Sequence, residues 1–116
     1  MKPIGIILNR RHYPLLDEGE GEAFIYLHHQ QVSLASCSSI IAQYLKNQER
    51  VFFLDVSENY PKNIEKLTIQ EHEELIDDIH LLVDIYWLDR FGLGGNYINE
   101  VIRYNLKHRL GCRYRA

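Results

Sequence analysis

The chain has 116 residues and a formal net charge of −3, with 46% hydrophobic, 25% charged and 11% aromatic residues. That length supports one hydrophobic core, so a single domain over 1–116 is expected. Seven Gly, three Pro and two Cys exclude a collagen-like repeat, a long disordered chain and a disulfide scaffold.

Cys37 and Cys112 stand far apart, outside any C-x-x-C pair and away from histidines at zinc-ligand spacing. Two free thiols in a reducing cytoplasm are the expectation. The apolar run Ile4 to Leu8 is cut short by Arg10 and Arg11, too brief for a signal peptide, and no stretch approaches the ~20 apolar residues of a membrane span. A cytoplasmic location without membrane contact follows as an expectation.

Residues 3–9 (P-I-G-I-I-L-N) form a short apolar run, the pattern of a buried strand. Residues 13–22 contain Pro14, two glycines and four acids and read as a surface loop. Ala23 to His28 reads as a second strand. Ser33 is a plausible N-cap for a helix in which Leu34, Cys37, Ile41, Tyr44 and Leu45 recur at helical spacing. Arg50 to Val56 (R-V-F-F-L-D-V) is the strongest strand signal. Strand, helix and strand make a βαβ unit with parallel pairing, whose ligands sit beyond the carboxyl ends of the strands.

After a connection at 57–67, Thr68 and Glu71 form a T-x-x-E capping box. It opens a helix whose apolar set is Leu75, Ile76, Ile79, Leu82, Val83 and Tyr86. A rival reading ends that helix near Asp78 and makes 81–88 a strand. Gly92-Leu93-Gly94-Gly95 reads as a helix end and tight turn, and Tyr97, Ile98, Val101, Ile102 and Leu106 define a last helix. The expected fold is α/β, a small Rossmann-like βαβ sheet with a C-terminal helical hairpin.

Charge is segregated along the chain. Residues 55–89 carry ten acids against two lysines, whereas residues 90–116 carry six basic groups against Glu100 alone. The basic tail suits three arrangements: pairing with the acidic segment of the same fold or of a partner subunit, contact with nucleic acid, or simple solvation.

Two clusters carry candidate chemistry. Arg10, Arg11 and His12 suit a phosphodiester, because guanidinium binds phosphate bidentately and imidazole moves protons near neutral pH. His28 and His29 precede Ser33, Ser36, Ser38 and Ser39 at a helix start, where backbone N–H groups attract anions. A polar strand-to-loop junction for the first cluster and a helix cap with exposed histidines for the second explain them without function, and those plainer readings are the favoured ones. Glu73, Asp77, His80 and Asp84 recur at offsets that suit helical metal ligands, yet they lie opposite the apolar face and read best as a solvated stripe. Neither metal nor cofactor is expected.

The segments I-I-L-N-R-R-H-Y-P-L at 6–15, V-S-L-A-S-C-S-S-I-I-A-Q-Y-L at 32–45 and F-F-L-D-V-S-E-N-Y-P at 52–61 are together similar to small CRISPR-associated Rossmann-like proteins. Those are the ring nucleases and related binders of cyclic oligoadenylates. The resemblance implies a homodimer with a symmetric pocket, in which Arg10 and Arg11 bind phosphate, His12 or His28 acts as acid or base, and Ser33 and Ser36 hold the anion. Two functional readings follow: binding of a cyclic oligonucleotide or RNA-like phosphodiester, with metal-independent cleavage if the protein is an enzyme; or a non-enzymatic regulator, like an antitoxin adaptor, binding a protein partner or DNA through the acidic helix and basic tail.

Overall fold

A computed structural model describes residues 4–29 and 34–114, with side chains throughout except at 34–38 and 40. The first two strands, β1 (Ile4–Leu8) and β2 (Arg11–Glu18), form an antiparallel hairpin. Its two-residue turn, Asn9-Arg10, has positive φ at both positions (50° and 71°), the geometry that matches the twist of the flanking strands. Next come β3 (Glu22–His28), α1 (Leu34–Lys46) and β4 (Glu49–Asp55), then α2 (Ile69–Ile85), β5 (Phe91–Gly95) and α3 (Glu100–Leu110). The sheet order is β1-β2-β4-β3-β5. β2 runs antiparallel to β4, whereas β3 is parallel to both β4 and β5.

The expected β3-α1-β4 unit is thus present with parallel pairing, as is the helix opened by Thr68. Thr68 Oγ1 accepts from the Glu71 N–H, and the Glu71 carboxylate accepts from the Thr68 N–H. The long-helix reading of the 80s holds as far as Ile85, after which Tyr86 caps the helix and Trp87 turns the chain at φ 54°.

Two segments differ from expectation. Residues 11–18, read mostly as loop, are a strand whose alternate residues Tyr13 and Leu15 are fully buried. Pro14 is accommodated because the ladder to β4 begins only at Leu15, so its missing N–H falls where β4 has no paired residue. Residues 91–95 are a strand, not a helix end, so the C-terminal part is α2-β5-α3 and the expected helical hairpin is corrected to a second parallel connection. Glycine serves a packing purpose there: a Cβ on Gly94 would stand 2.8 Å from the Phe24 ring. With two antiparallel strands at one side, the sheet is mixed and the Rossmann-like expectation is corrected to a broader α/β architecture.

The main core lies under α2 and α3, where Ile25, Leu27, Phe52 and Leu54 meet Leu75, Ile79, Leu82, Ile102 and Leu106. A smaller cluster of Tyr26, Ile41, Val51 and Phe53 fills the opposite face. Acidic α2 and the basic C-terminal segment pair with each other: Arg109 reaches Asp77 at 2.5 Å and Arg113 reaches Asp84 at 3.2 Å. Asp77 and Asp84 of the polar stripe are therefore engaged in ion pairs, and no cluster that would hold a metal occurs among the described residues. At the outer rim of β5, Arg103 donates to the Leu93 carbonyl at 3.2 Å and to the Tyr114 hydroxyl at 3.3 Å, while Tyr114 bridges Phe91. Among the described residues no helix is long and apolar enough to cross a membrane.

Candidate functional site

Because β3, β4 and β5 are parallel, their carboxyl ends deliver His28-His29, Asp55-Val56-Ser57 and Gly95-Asn96-Tyr97 to one rim of the sheet. The rim is cross-linked by backbone bonds. Val56 N–H donates to the His28 carbonyl at 2.8 Å, and the N–H groups of Asn96 and Tyr97 donate to the Leu27 carbonyl at 3.1 and 3.3 Å. Gly95 makes this approach, with φ 120° and the backbone of Leu27 where a side chain would otherwise stand.

His29 is the centre of the cluster. Its N–H donates to Asn96 Oδ1 at 2.9 Å and its carbonyl accepts from Asn96 Nδ2 at 3.2 Å, a reciprocal clamp between β3 and the β5–α3 turn. The imidazole is only 8% exposed and stacks on Tyr97 at 5.3 Å between centroids. Its Nε2 lies 3.2 Å from the Tyr60 carbonyl, which only accepts, so Nε2 carries the proton. Nδ1 is then a lone pair, buried and without a partner among the described residues. Tyr97, fully buried, donates its hydroxyl to the Pro61 carbonyl at 2.7 Å, and burial pushes its pKa up to about 12. Across the rim, Asp55 Oδ1 accepts from the N–H and hydroxyl of Ser57 at 2.9 and 2.5 Å.

His28 points to the opposite sheet face, tilted against Phe53 at 4.6 Å. Burial lowers its pKa below 6.5, against a smaller opposing pull from Asp55. In the window between the folded value and 6.5 the unfolded chain binds the proton more readily, so the stability that neutral His28 supports above 6.5 declines as pH falls through that window. His28→Phe is expected to flatten this part of the stability curve, read by urea unfolding between pH 7.5 and pH 5, and an unchanged slope would exclude the His28 assignment.

The other expected site residues are divided. β1 is antiparallel to β2 and β2 to β4, so the Arg10-Arg11-His12 turn does lie at the same end of the sheet as His28. Arg11, however, faces α2, where Nε and an Nη donate to the fully buried carboxylate of Asp78 at 2.7 and 2.9 Å. Asn9 donates to the same carboxylate at 2.8 Å, the Tyr13 hydroxyl donates to it too, and the hydrogen bond and charge of Asp78 raise the Arg11 pKa against the opposing effect of burial. His12 faces the other way and meets Glu58 at 3.0 Å on the surface. Arg10 is exposed in the turn. Ser33 lies outside the described residues, and Ser36 lies in α1 with its side chain outside them. The structure therefore brings together His29, Asn96, Tyr97 and Tyr60, leaves His28 on the opposite face, and holds Arg11 in the Asp78 network, which meets the cluster through the Tyr13–Tyr60 hydroxyl contact.

No protein-family profile matches the sequence, and no curated protein sequence matches it. Solved structures do match. An epoxide hydrolase mutant from Vigna radiata superposes with a TM-score of 0.74 at 18% identity, over 99% of this chain and 36% of that one. A bromoperoxidase from Bacillus anthracis gives 0.72 at 16%, over 97% and 42%. A protein that recognises and ring-cleaves the Pseudomonas quinolone signal gives 0.69 at 17%, over 96% and 43%. The resemblance to ring nucleases is corrected by these neighbours, together with the CRISPR-associated and RNA-binding roles it carried. The physical reason is visible in its first segment: residues 6–15 fold into an antiparallel hairpin that a parallel Rossmann edge does not contain. At such identities the likeness establishes the fold alone: this chain, spanning 36 to 43% of the length of those neighbours, is an α/β unit that matches a portion of their α/β-hydrolase fold.

Proposed function

We propose that this chain acts by binding, not by acyl transfer, and that it holds a small neutral ligand with a hydroxyl donor at the carboxyl ends of β3, β4 and β5. In the α/β-hydrolase fold the nucleophile sits on a sharp strand-to-helix turn written G-x-S-x-G. The corresponding β5–α3 turn here is Gly94-Gly95-Asn96-Tyr97-Ile98-Asn99, and the motif occurs nowhere in the chain. Tyr97 is a poor nucleophile in this setting. Burial keeps its hydroxyl protonated, that hydroxyl donates to Pro61, and the neighbouring imidazole stacks on the ring.

The observation that carries the reading is His29 Nδ1. A buried acceptor without a donor costs about 1–3 kcal/mol, and a ligand hydroxyl would relieve that cost. The buried Tyr97 ring stacked on the imidazole makes the surroundings of that acceptor apolar, which favours an apolar body carrying the donor. Phenol and anisole separate the two requirements, since they share the ring and differ in the donor. In 15N-labelled protein, phenol is expected to shift the His29 Nδ1 resonance and the Asn96 amide, and anisole to leave both unmoved. Equal shifts with both probes, or none with phenol, would overturn the proposal. A Tyr97-dependent burst of product from p-nitrophenyl acetate would also overturn it.

A further inference from the structure

We infer that the outer face of α3 is a self-association surface, and that its partner is the same face of a second copy of this chain, packed antiparallel. Ile102, Leu106 and Leu110 turn the inner face of α3 into the core. On the outer face Val101 (49% exposed), Tyr104 (68% exposed) and exposed His108 follow at i, i+3 and i+7, the spacing of a helix-pairing seam. The Tyr104 ring lies parallel to His108, 5.9 Å between centroids and 10° between planes. That stack holds the aromatic side chain in one orientation before any partner arrives, which lowers the entropy cost of burying it.

Charge selects the partner and its direction. Glu100 and Lys107 flank the seam seven residues apart, both exposed, and neither has an ion-pair partner among the described residues. Two copies related by a two-fold axis near Tyr104, with helices antiparallel, set Glu100 of each copy beside Lys107 of the other. One contact pattern is thereby satisfied twice, as a closed dimer requires. Parallel packing would instead place Glu100 and Lys107 of one copy on the opposite flank of the seam from those of the other, where they do not meet. The antiparallel arrangement also opposes the two helix dipoles favourably.

An 11-residue helix is about 16 Å long, so the seam alone buries less than the ~800 Å² per partner of a standard stable interface. The dimer is accordingly weak and concentration-dependent, with a Kd on the order of 100 µM. This surface uses none of the strand-end residues, so the inference stands apart from the ligand reading.

Sedimentation equilibrium tests it, from about 10 µM to about 1 mM protein, on either side of that Kd. The wild type is expected to shift from monomer toward dimer across this range. Glu100→Lys is expected to weaken association at least tenfold, because it turns both ion pairs into repulsions, and Glu100→Lys combined with Lys107→Glu is expected to restore it. Tyr104→Glu is expected to abolish it. All three positions are exposed, and circular dichroism confirms that each variant is folded. A wild type that stays monomeric at every concentration overturns the inference, as does a dimer that survives Tyr104→Glu or is broken by Ile7→Lys on the opposite edge of the sheet.

Discussion

Asp78→Ala is expected to destabilise the protein by about 3 kcal/mol, a large part of the total stability of a domain this size. The carboxylate is fully buried and accepts from Arg11, Asn9 and Tyr13, so it ties the β1–β2 hairpin to the middle of α2. Removing it strands the Tyr13 hydroxyl, itself fully buried, with only Tyr60 at 3.3 Å for company. The Arg11 side chain is one-quarter exposed, so water reaches part of the abandoned guanidinium and the loss falls at the lower end of what a buried pair costs when broken. Replacing both partners, Arg11→Met with Asp78→Leu, is expected to recover much of the loss, because two apolar groups leave no unpaired charge behind. Urea unfolding of the two variants measures both effects, and a single-variant loss under about 1 kcal/mol would show that the network is solvated rather than buried.

Gly95→Ala is the second large effect, expected to cost about 3 kcal/mol and to lower the thermal midpoint accordingly. At φ 120° the new Cβ would stand 2.1 Å from the Leu27 carbonyl oxygen and 2.7 Å from its nitrogen, and the backbone of a central strand cannot retreat. The end of β5 would have to move instead, carrying Asn96 away from His29. Gly111→Ala is the control, because φ is positive there too (54°) but nothing lies within 4 Å of the new methyl. Its cost is expected to be about 1 kcal/mol, the backbone contribution alone. Equal losses at the two positions would show that strain in φ, not the approach to Leu27, governs Gly95.

What the chain's pattern discloses, and what it conceals, follows from where the energy resides. The β3-α1-β4 unit is legible because its strands are buried on both faces and write continuous apolar runs, while α2 announces its start through Thr68 and Glu71. Strand β2 is obscured by Pro14 and the acids at its end, since nothing local tells that the β4 ladder starts one residue after the proline. Strand β5 is obscured by its glycines, of which Gly94 lets Phe24 lie across it, a contact between residues 70 apart in sequence, and Gly95 admits the Leu27 backbone.

The same misreading hid the site. With 92–95 read as a helix end and tight turn, Asn96 and Tyr97 have no reason to meet His29, although the histidines themselves stand out by their place after a strand. Arg11 reads in the sequence as a phosphate-binding residue, because its partner Asp78 lies 67 residues away on a helix whose other acids include Asp77 and Asp84, paired with Arg109 and Arg113. A turn of sequence that reads T-x-x-E signals itself; a salt bridge across the fold does not.

The two rims of the sheet are closed unequally, and this bears on how the protein fails. Along β5 the Arg103 guanidinium occupies the Leu93 carbonyl, and Tyr114 covers Phe91, so an incoming chain finds that rim taken. Along β1 the sequence Ile-Gly-Ile-Ile-Leu has no charge and no proline, and Ile4 and Ile7 are 54% and 69% exposed. Uncharged, β-branched rims of that kind template further strands from other molecules. If the protein aggregates, β1 is the expected starting point, and Ile7→Lys is expected to suppress it by placing a charge on that rim.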